Sequence, residues 1–238
     1  MKTMTVLELK TKPMSSAIAY IIGMTLPLYK EIEIGSKQYI VGSVNHNYNP
    51  KDIVLDTPNT SHSHISEAEI GEHFNIISHL FSSNDLNIMI KANNNEYGSI
   101  SSKNGFSILI DKDSESSDEC KAILLALLDK ISTCTDDIKY AFIKGCFDGR
   151  SSIDWNLKKG TIRYIAVDVE RNHKLQEKIC QVAASIGINL NLNQRPLGHT
   201  KNDQVRIKRD DLSAFRRNGG FFSPFRSRQL SHAIELCR

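Results

Sequence analysis

The sequence is poor in the residues that would place it in several common classes. Its 238 residues include 5 cysteines, 1 tryptophan and 6 prolines. The cysteines (Cys120, Cys134, Cys146, Cys180, Cys237) are odd in number and far apart, without a C-x-x-C pair. That pattern suggests neither a disulfide framework nor a zinc knuckle and suits a reduced compartment. No apolar run approaches the roughly eighteen residues of a membrane span. Met1-Lys2-Thr3-Met4 leads into alternating apolar residues, unlike a signal peptide. The expectation is an intracellular, cytoplasmic protein with no membrane partner. Gly-rich phosphate loops, an exposed-serine elbow and H-E-x-x-H are also missing. His46, His62, His64, His73 and His79 cluster in the first half. Without cysteine partners or a second spaced pair, they read as polar loop histidines rather than zinc ligands.

What is present is ordinary in bulk, 40% apolar and 24% charged, enough for a normal core. The charge is unevenly placed. Residues 1–149 carry 13 Lys and Arg against 19 Asp and Glu, a net of −6, while residues 150–238 carry 17 against 8, a net of +9. A basic half of this size is the usual electrostatic footprint of a nucleic-acid or anionic-surface partner, because each cation placed on a phosphate releases condensed counterions.

An internal repeat organises the chain. Ala19-Tyr20-Ile21-Ile22-Gly23-Met24-Thr25 realigns on Ala141-Phe142-Ile143-Lys144-Gly145-Cys146-Phe147 with a constant offset of 122. In each copy Ala and Gly stand four apart, on one face of a helix, so Ala19, Gly23, Ala141 and Gly145 are candidates for a close helix interface. The second copy, over about 136–148, is followed by alternating strands at 152–158 and 161–169. A helix at 172–186 ends at Gly187, and strands at 189–193 and 204–208 flank a polar loop. A short helix from Asp210 through Phe215 and a last helix from about Ser223 close the chain. The first copy, from about Ser16, gives strands at 31–35 and 38–44, a helix at 66–81, strands at 87–92 and 106–111, and a helix at 118–131. An Asn-rich stretch between Val44 and Ser66 reads as an irregular loop. The expected fold class is α+β, two pseudo-symmetric αββαββα repeats each with a four-stranded antiparallel sheet, divided as 1–133 and 134–238.

The segment Phe142-Ile143-Lys144-Gly145-Cys146-Phe147-Asp148-Gly149-Arg150 resembles the nine-residue motif of the LAGLIDADG homing-endonuclease family. Tyr20 to Tyr29 resembles it more faintly. The stretch Val205 to Leu230, with Phe215, Gly220 and Phe221, is similar to the family's closing pattern. The resemblance implies a single-chain, pseudo-twofold monomer whose motif helices pack together and whose two sheets form a saddle on duplex DNA.

On that reading, the strand faces opposite the apolar ones carry Asp154, Asn156 and Lys158, then Asn189, Asn191, Asn193 and Arg195, then Gln204, Arg206 and Lys208. Asn and Gln suit adenine, Arg and Lys suit guanine, and a two-stranded ribbon fits the major groove. Three alternate asparagines are otherwise unexpected in a strand. Arg150, Arg216, Arg217, Arg226 and Arg228, with loop Lys159 and Lys201, are expected on phosphates. In the family an acid at the eighth motif position holds divalent metal, but here those positions, counted from Ile21 and Ile143, are Leu28 and Arg150. Asp148 is the sixth residue, implied to serve helix packing, with Leu26 as its counterpart and Pro27 next. The first expectation is sequence-specific DNA binding with reduced or lost nuclease activity. The alternative is a Mg²⁺-dependent site-specific double-strand endonuclease using the displaced acids Asp148, Asp154, Glu31 and Glu33, and Mg²⁺ is expected only in that case. A third reading makes the acidic first repeat a platform for a protein partner.

Overall fold

The computed structural model of the protein describes residues 3–45, 67–92, 105–156, 161–196 and 198–235. The stretch from His46 through Ser66, with His62 and His64, lies outside them, as do Leu157, Lys158 and Lys159.

An element absent from the sequence reading comes first. Helix α1 (Val6–Thr11) is started by a capping box in which Thr5 Oγ1 accepts from the Glu8 amide and Glu8 accepts from the Thr5 amide. The first motif helix α2 (Ser16–Thr25) then leads to β1 (Glu31–Ile34), β2 (Lys37–Asn45), α3 (Glu67–Ser82), β3 (Met89–Ala92), β4 (Gly105–Asp111) and α4 (Ser117–Ser132). The second motif helix α5 (Asp136–Arg150) leads to β5 (Ser152–Asn156), β6 (Thr161–Val169), α6 (His173–Ser185), β7 (Leu190–Asn193) and β8 (Asp203–Lys208). A 3-10 turn (Arg209–Asp211), α7 (Leu212–Arg217) and α8 (Pro224–Glu235) follow. The sheets share one antiparallel topology, β1-β2-β4-β3 and β5-β6-β8-β7, so the α+β two-repeat fold is as the element order implies.

The repeats meet along α2 and α5, and the meeting is possible because of two glycines. A Cβ on Gly23 would stand 2.1 Å from the Phe142 carbonyl oxygen, and one on Gly145 would stand 2.2 Å from that of Tyr20. These contacts are related by the same offset of 122 that relates the sequences. Each helix end then touches the opposite repeat. The Glu170 amide, beyond β6, donates to Pro27 O at 2.7 Å, and a Cβ on Gly149 would lie 3.0 Å from Ser43 O of β2.

One continuous core runs through both repeats, from Val6 and Leu9 through Tyr20, Ile40, Phe106 and Leu124 to Phe142, Ile165, Ile207 and Phe215. The last helix crosses back onto the first repeat, where Arg228 Nε and Nη2 donate to Glu69 Oε1 of α3 at 2.9 and 2.7 Å. His73 is not a loop histidine. It lies on α3 in the buried row with Ile77 and Phe81, fully enclosed, with its ring edge-on to Phe106 at 5.1 Å. The helical period put position 73 on the core face.

The helix contact predicts opposite outcomes for two glycine substitutions. Gly145→Ala must push the α2 and α5 backbones apart and should lower the unfolding free energy by about 3 kcal/mol in urea denaturation. Gly71→Ala on α3, where a Cβ meets nothing within 4 Å, should raise it by roughly 0.5 kcal/mol.

Candidate nucleic-acid interface

Register decides which side chains share a sheet face. On the second sheet, Leu190, Ile207, Ile165 and Ile153 stand in one cross-strand row, and Leu192, Val205 and Val167 in the next. These are the core-facing rows. Alternation turns their neighbours outward as Asn191–Arg206–Ala166–Ser152, Asn193–Gln204–Asp168 and Lys208–Tyr164–Asp154. The sheet thus brings Asn191, Asn193, Gln204, Arg206, Lys208 and Asp154 to one polar face. Asn156 pairs with Thr161 beyond a bulge that leaves Arg163 as the extra residue of β6.

The outward rows are held by bonds that the strand pattern alone does not reveal. The Arg206 guanidinium lies over the Tyr164 ring at 4.1 Å, and its Nε and Nη2 donate to Gln204 Oε1 at 3.2 and 2.9 Å. Gln204 Nε2 in turn donates to Asp168 Oδ1 at 3.0 Å. Gln204 is therefore engaged at both ends, while Arg206 Nη1 makes no hydrogen bond among the described residues. Tyr164 and Asp168 were missed as parts of this face, although their parity with the buried Ile165 and Val167 places them there. Asn189 donates to Asp211 Oδ1 at 3.0 Å, just before β7. The Arg195 amide donates to Asp203 Oδ1 at 2.8 Å, and Lys208 is exposed.

The corresponding face of the first sheet is unlike it. Its outward rows are Ile32–Tyr39–Asp111, Val41–Leu109–Met89 and Ser43–Ser107–Lys91. Tyr39, Val41 and Leu109 are buried there in a small apolar cluster of their own, with Ile32 and Ile34 packed against it.

The basic residues of the helical end are distributed differently from expectation. Arg226 is buried, with Nη2 donating to Ser151 O at 2.8 Å and Nη1 to Gln229 at 3.2 Å, so it ties α8 to the start of β5 and does not reach a phosphate. Arg228 is the Glu69 partner described above. Arg216 and Arg217 are exposed in the last turn of α7, but α7 buries Leu212 and Phe215 on the apolar side of the second sheet. Arg217 lines a cleft with Asp137, Tyr140 and Lys144 of α5. Arg150 is the last residue of that helix, at the opposite end.

The four candidate acids stand in separate surroundings. Asp148 is enclosed between the repeats. Tyr20 Oη and the Phe222 amide donate to its Oδ2 at 3.2 and 2.9 Å, the Ser223 amide donates to Oδ1 at 3.2 Å, and His73 Nε2 lies 4.0 Å away. Burial pushes its carboxyl up to about 7, against the pull of those donors and of Lys144. Its counterpart, Leu26, is also buried but apolar, so one acid anchors the closing segment to both motif helices. Glu31 accepts from Tyr29 and from Lys112 Nζ. Burial raises the Glu31 carboxyl, but the bonds from Tyr29, Lys112 and Ser117 outweigh it and hold the group below its ordinary value. Glu33 is exposed in the β1–β2 hairpin opposite Gln38, and Asp154 pairs with Arg163 Nη2 at 2.8 Å. Among the described residues no group of three His, Cys, Asp or Glu is arranged to hold a metal ion. Leu28 and Arg150, at the motif ends, carry no oxygen ligand for a hard cation such as Mg²⁺. No helix among the described residues is long and apolar enough to cross a membrane.

Solved structures to which this chain is similar include LAGLIDADG proteins. The homing endonuclease I-DmoI in complex with DNA and Ca is 13% identical, covering 93% of this chain and 100% of that one at a TM-score of 0.48. Full-length DUF199/WhiA from Thermatoga maritima is 14% identical, covering 99% of this chain and 66% of that one at 0.48. The N-terminal LAGLIDADG domain of DUF199/WhiA is 12% identical, covering 92% and 94% at 0.46. No family model and no curated protein matches the chain. Identity this low says nothing about shared chemistry.

The Asp148 site predicts a pH dependence. Its folded pKa of about 7 lies above the ordinary 3.8, so the fold holds a proton that the unfolded chain releases. The resulting stabilisation is complete below about pH 4 and is lost as pH rises through about 7. In urea unfolding, the stability of the native protein minus that of Asp148→Asn should fall by up to about 1.4 kcal/mol per unit between about pH 5 and 7. A flat or rising difference would contradict the assignment.

Proposed function

We propose that this protein binds duplex DNA sequence-specifically through the outward face of its second sheet, without metal-dependent cleavage by the motif acids. The observation that carries this reading is the register of Asn191 beside Arg206 and Asn193 beside Gln204, with Arg206 clamped by Tyr164 and Gln204. An antiparallel ribbon of this width enters a major groove, and a guanidinium with free donors held in a fixed plane is suited to the O6 and N7 of guanine. Gln204, engaged by Arg206 and Asp168, positions that fork, and Asn191 is the better candidate for adenine. Lys208, at the edge, suits a phosphate. The net +9 of residues 150–238 supplies sequence-independent attraction.

The grip is one-sided on this account. The first sheet turns Tyr39, Val41 and Leu109 toward the side where the second turns Asn191, Gln204 and Arg206. The division of labour follows the proposed boundary between residues 133 and 134.

Arg206→Ala should cost about 1–3 kcal/mol at the preferred duplex site and relax base preference at one position. Lys91→Ala, on the outward face of the first sheet, should leave both unchanged. Fluorescence anisotropy on specific and scrambled duplexes checks both. Equal losses from the two substitutions would favour a two-sheet saddle. Incubation with a duplex library and Mg²⁺ or Mn²⁺ should give no specific cut. Cuts abolished by Asp148→Ala, Asp154→Ala, Glu31→Ala or Glu33→Ala would establish the endonuclease reading instead.

A further inference from the structure

The cleft beside α5 is the strongest feature that DNA recognition leaves unused. It is an open cleft of about 400 Å³ between the start of α2, the N-terminal half of α5 and the α7–α8 turn, large enough for a small ligand to lie along it. Two cations enter it, Lys144 and Arg217, and among the described residues no ion pair engages either of them. Lys144 is half-buried, and burial lowers its ammonium from the ordinary value despite the pull of Asp148 and Asp137. Its Nζ lies 4.4 Å over the Phe222 ring. The left-handed Gly219, at φ +94°, leaves room for it, since a Cβ there would come within 2.6 Å of Nζ. The neighbouring Asn218 is spent on Ile186 O, and Tyr140 Oη also points to that oxygen, at 3.4 Å. The cations therefore face a cleft in which Asn218 and Tyr140 are satisfied, Asp137 and Ser16 line the side toward the start of α5 and α2, and aromatic rings form part of the wall.

We propose that this cleft binds a small molecule joining an anionic group to a flat ring, the anion held between Lys144 and Arg217 and the ring against Phe222 and Tyr140. The site is not a continuation of the DNA surface. Asp137 and Arg150 are separated by the length of α5, roughly 20 Å at the helical rise, and Arg217 lies on the helix layer. The position is nevertheless coupled to the repeat interface. The Phe222 amide bonds Asp148 at 2.9 Å and its ring meets Tyr20 edge-on at 5.2 Å, so an occupant that shifts Phe222 acts on the contact between α2 and α5.

The test is an NMR titration of the full chain, without DNA, using phenyl phosphate and benzoate as probes and inorganic phosphate and phenol as controls. At least one probe should shift the backbone amides of Lys144 and Phe222 saturably, and bind at least about tenfold more tightly than either control. Arg217→Gln and Lys144→Met should each weaken it by about tenfold or more. Arg217 is exposed, so its variant carries the test alone if Lys144→Met fails to fold. Absence of a saturable shift with both probes, affinity equal to that of inorganic phosphate, or binding unchanged in Arg217→Gln would overturn the site. Loss of duplex affinity in Arg217→Gln without small-anion binding would also overturn it, and would make Arg217 a DNA phosphate contact.

Discussion

The approach of two helix backbones at Gly23 and Gly145 is the constraint on which the rest of the structure depends. Each glycine lies where the other helix presents a carbonyl, leaving no room for even a methyl group. Because the contact repeats with the sequence offset, it imposes a local twofold relation on whatever follows each helix. The two sheets inherit this relation, and the exchanged contacts of Pro27 with Glu170 and of Gly149 with Ser43 lock each helix end to the opposite repeat. A close-packed interface of this kind is bistable rather than elastic. Small changes at its edge, such as the charge on Asp148 or a displacement of Phe222, therefore bear on the relative setting of the sheets.

Symmetry of backbone coexists with asymmetry of chemistry. The sixth motif position is a hydrogen-bonded acid in one repeat and a buried Leu26 in the other, so only one of the two motif positions bonds the C-terminal segment. The outward face is amide- and guanidinium-rich on the second sheet and apolar at its centre on the first. These differences explain how a twofold frame is compatible with a one-sided proposed function, and they follow the split of charge along the chain. Fold and site are separable here, because the frame depends on small residues and alternation while the chemistry depends on what the outward positions carry.

Much of this was legible in the sequence. The repeat, the strands and the outward parity of Asn191, Asn193, Gln204 and Arg206 follow from alternation and spacing. The start of α1 was also legible, in the Thr5-x-x-Glu8 capping pair, but the alternating apolar residues beside it obscured the signal. The unbroken run Tyr39-Ile40-Val41 signals a strand apolar on both faces, consistent with the separate cluster on the first sheet. Other facts were not legible because they depend on tertiary contact. The burial of Arg226 on Ser151, the crossing of Arg228 to Glu69 and the enclosure of His73 against Phe106 join residues far apart in the chain. The clamp of Tyr164 and Gln204 on Arg206 depends likewise on strand pairing that a single sequence does not specify.

The central claim, a twofold frame with a one-sided grip on DNA, is tested most directly by selecting preferred sites for the whole protein from a random duplex library. The account predicts one contiguous block of constrained bases, as wide as a single four-stranded sheet covers, with no second block beside it. Two blocks of comparable information, spaced by the separation of the two sheets, would contradict it.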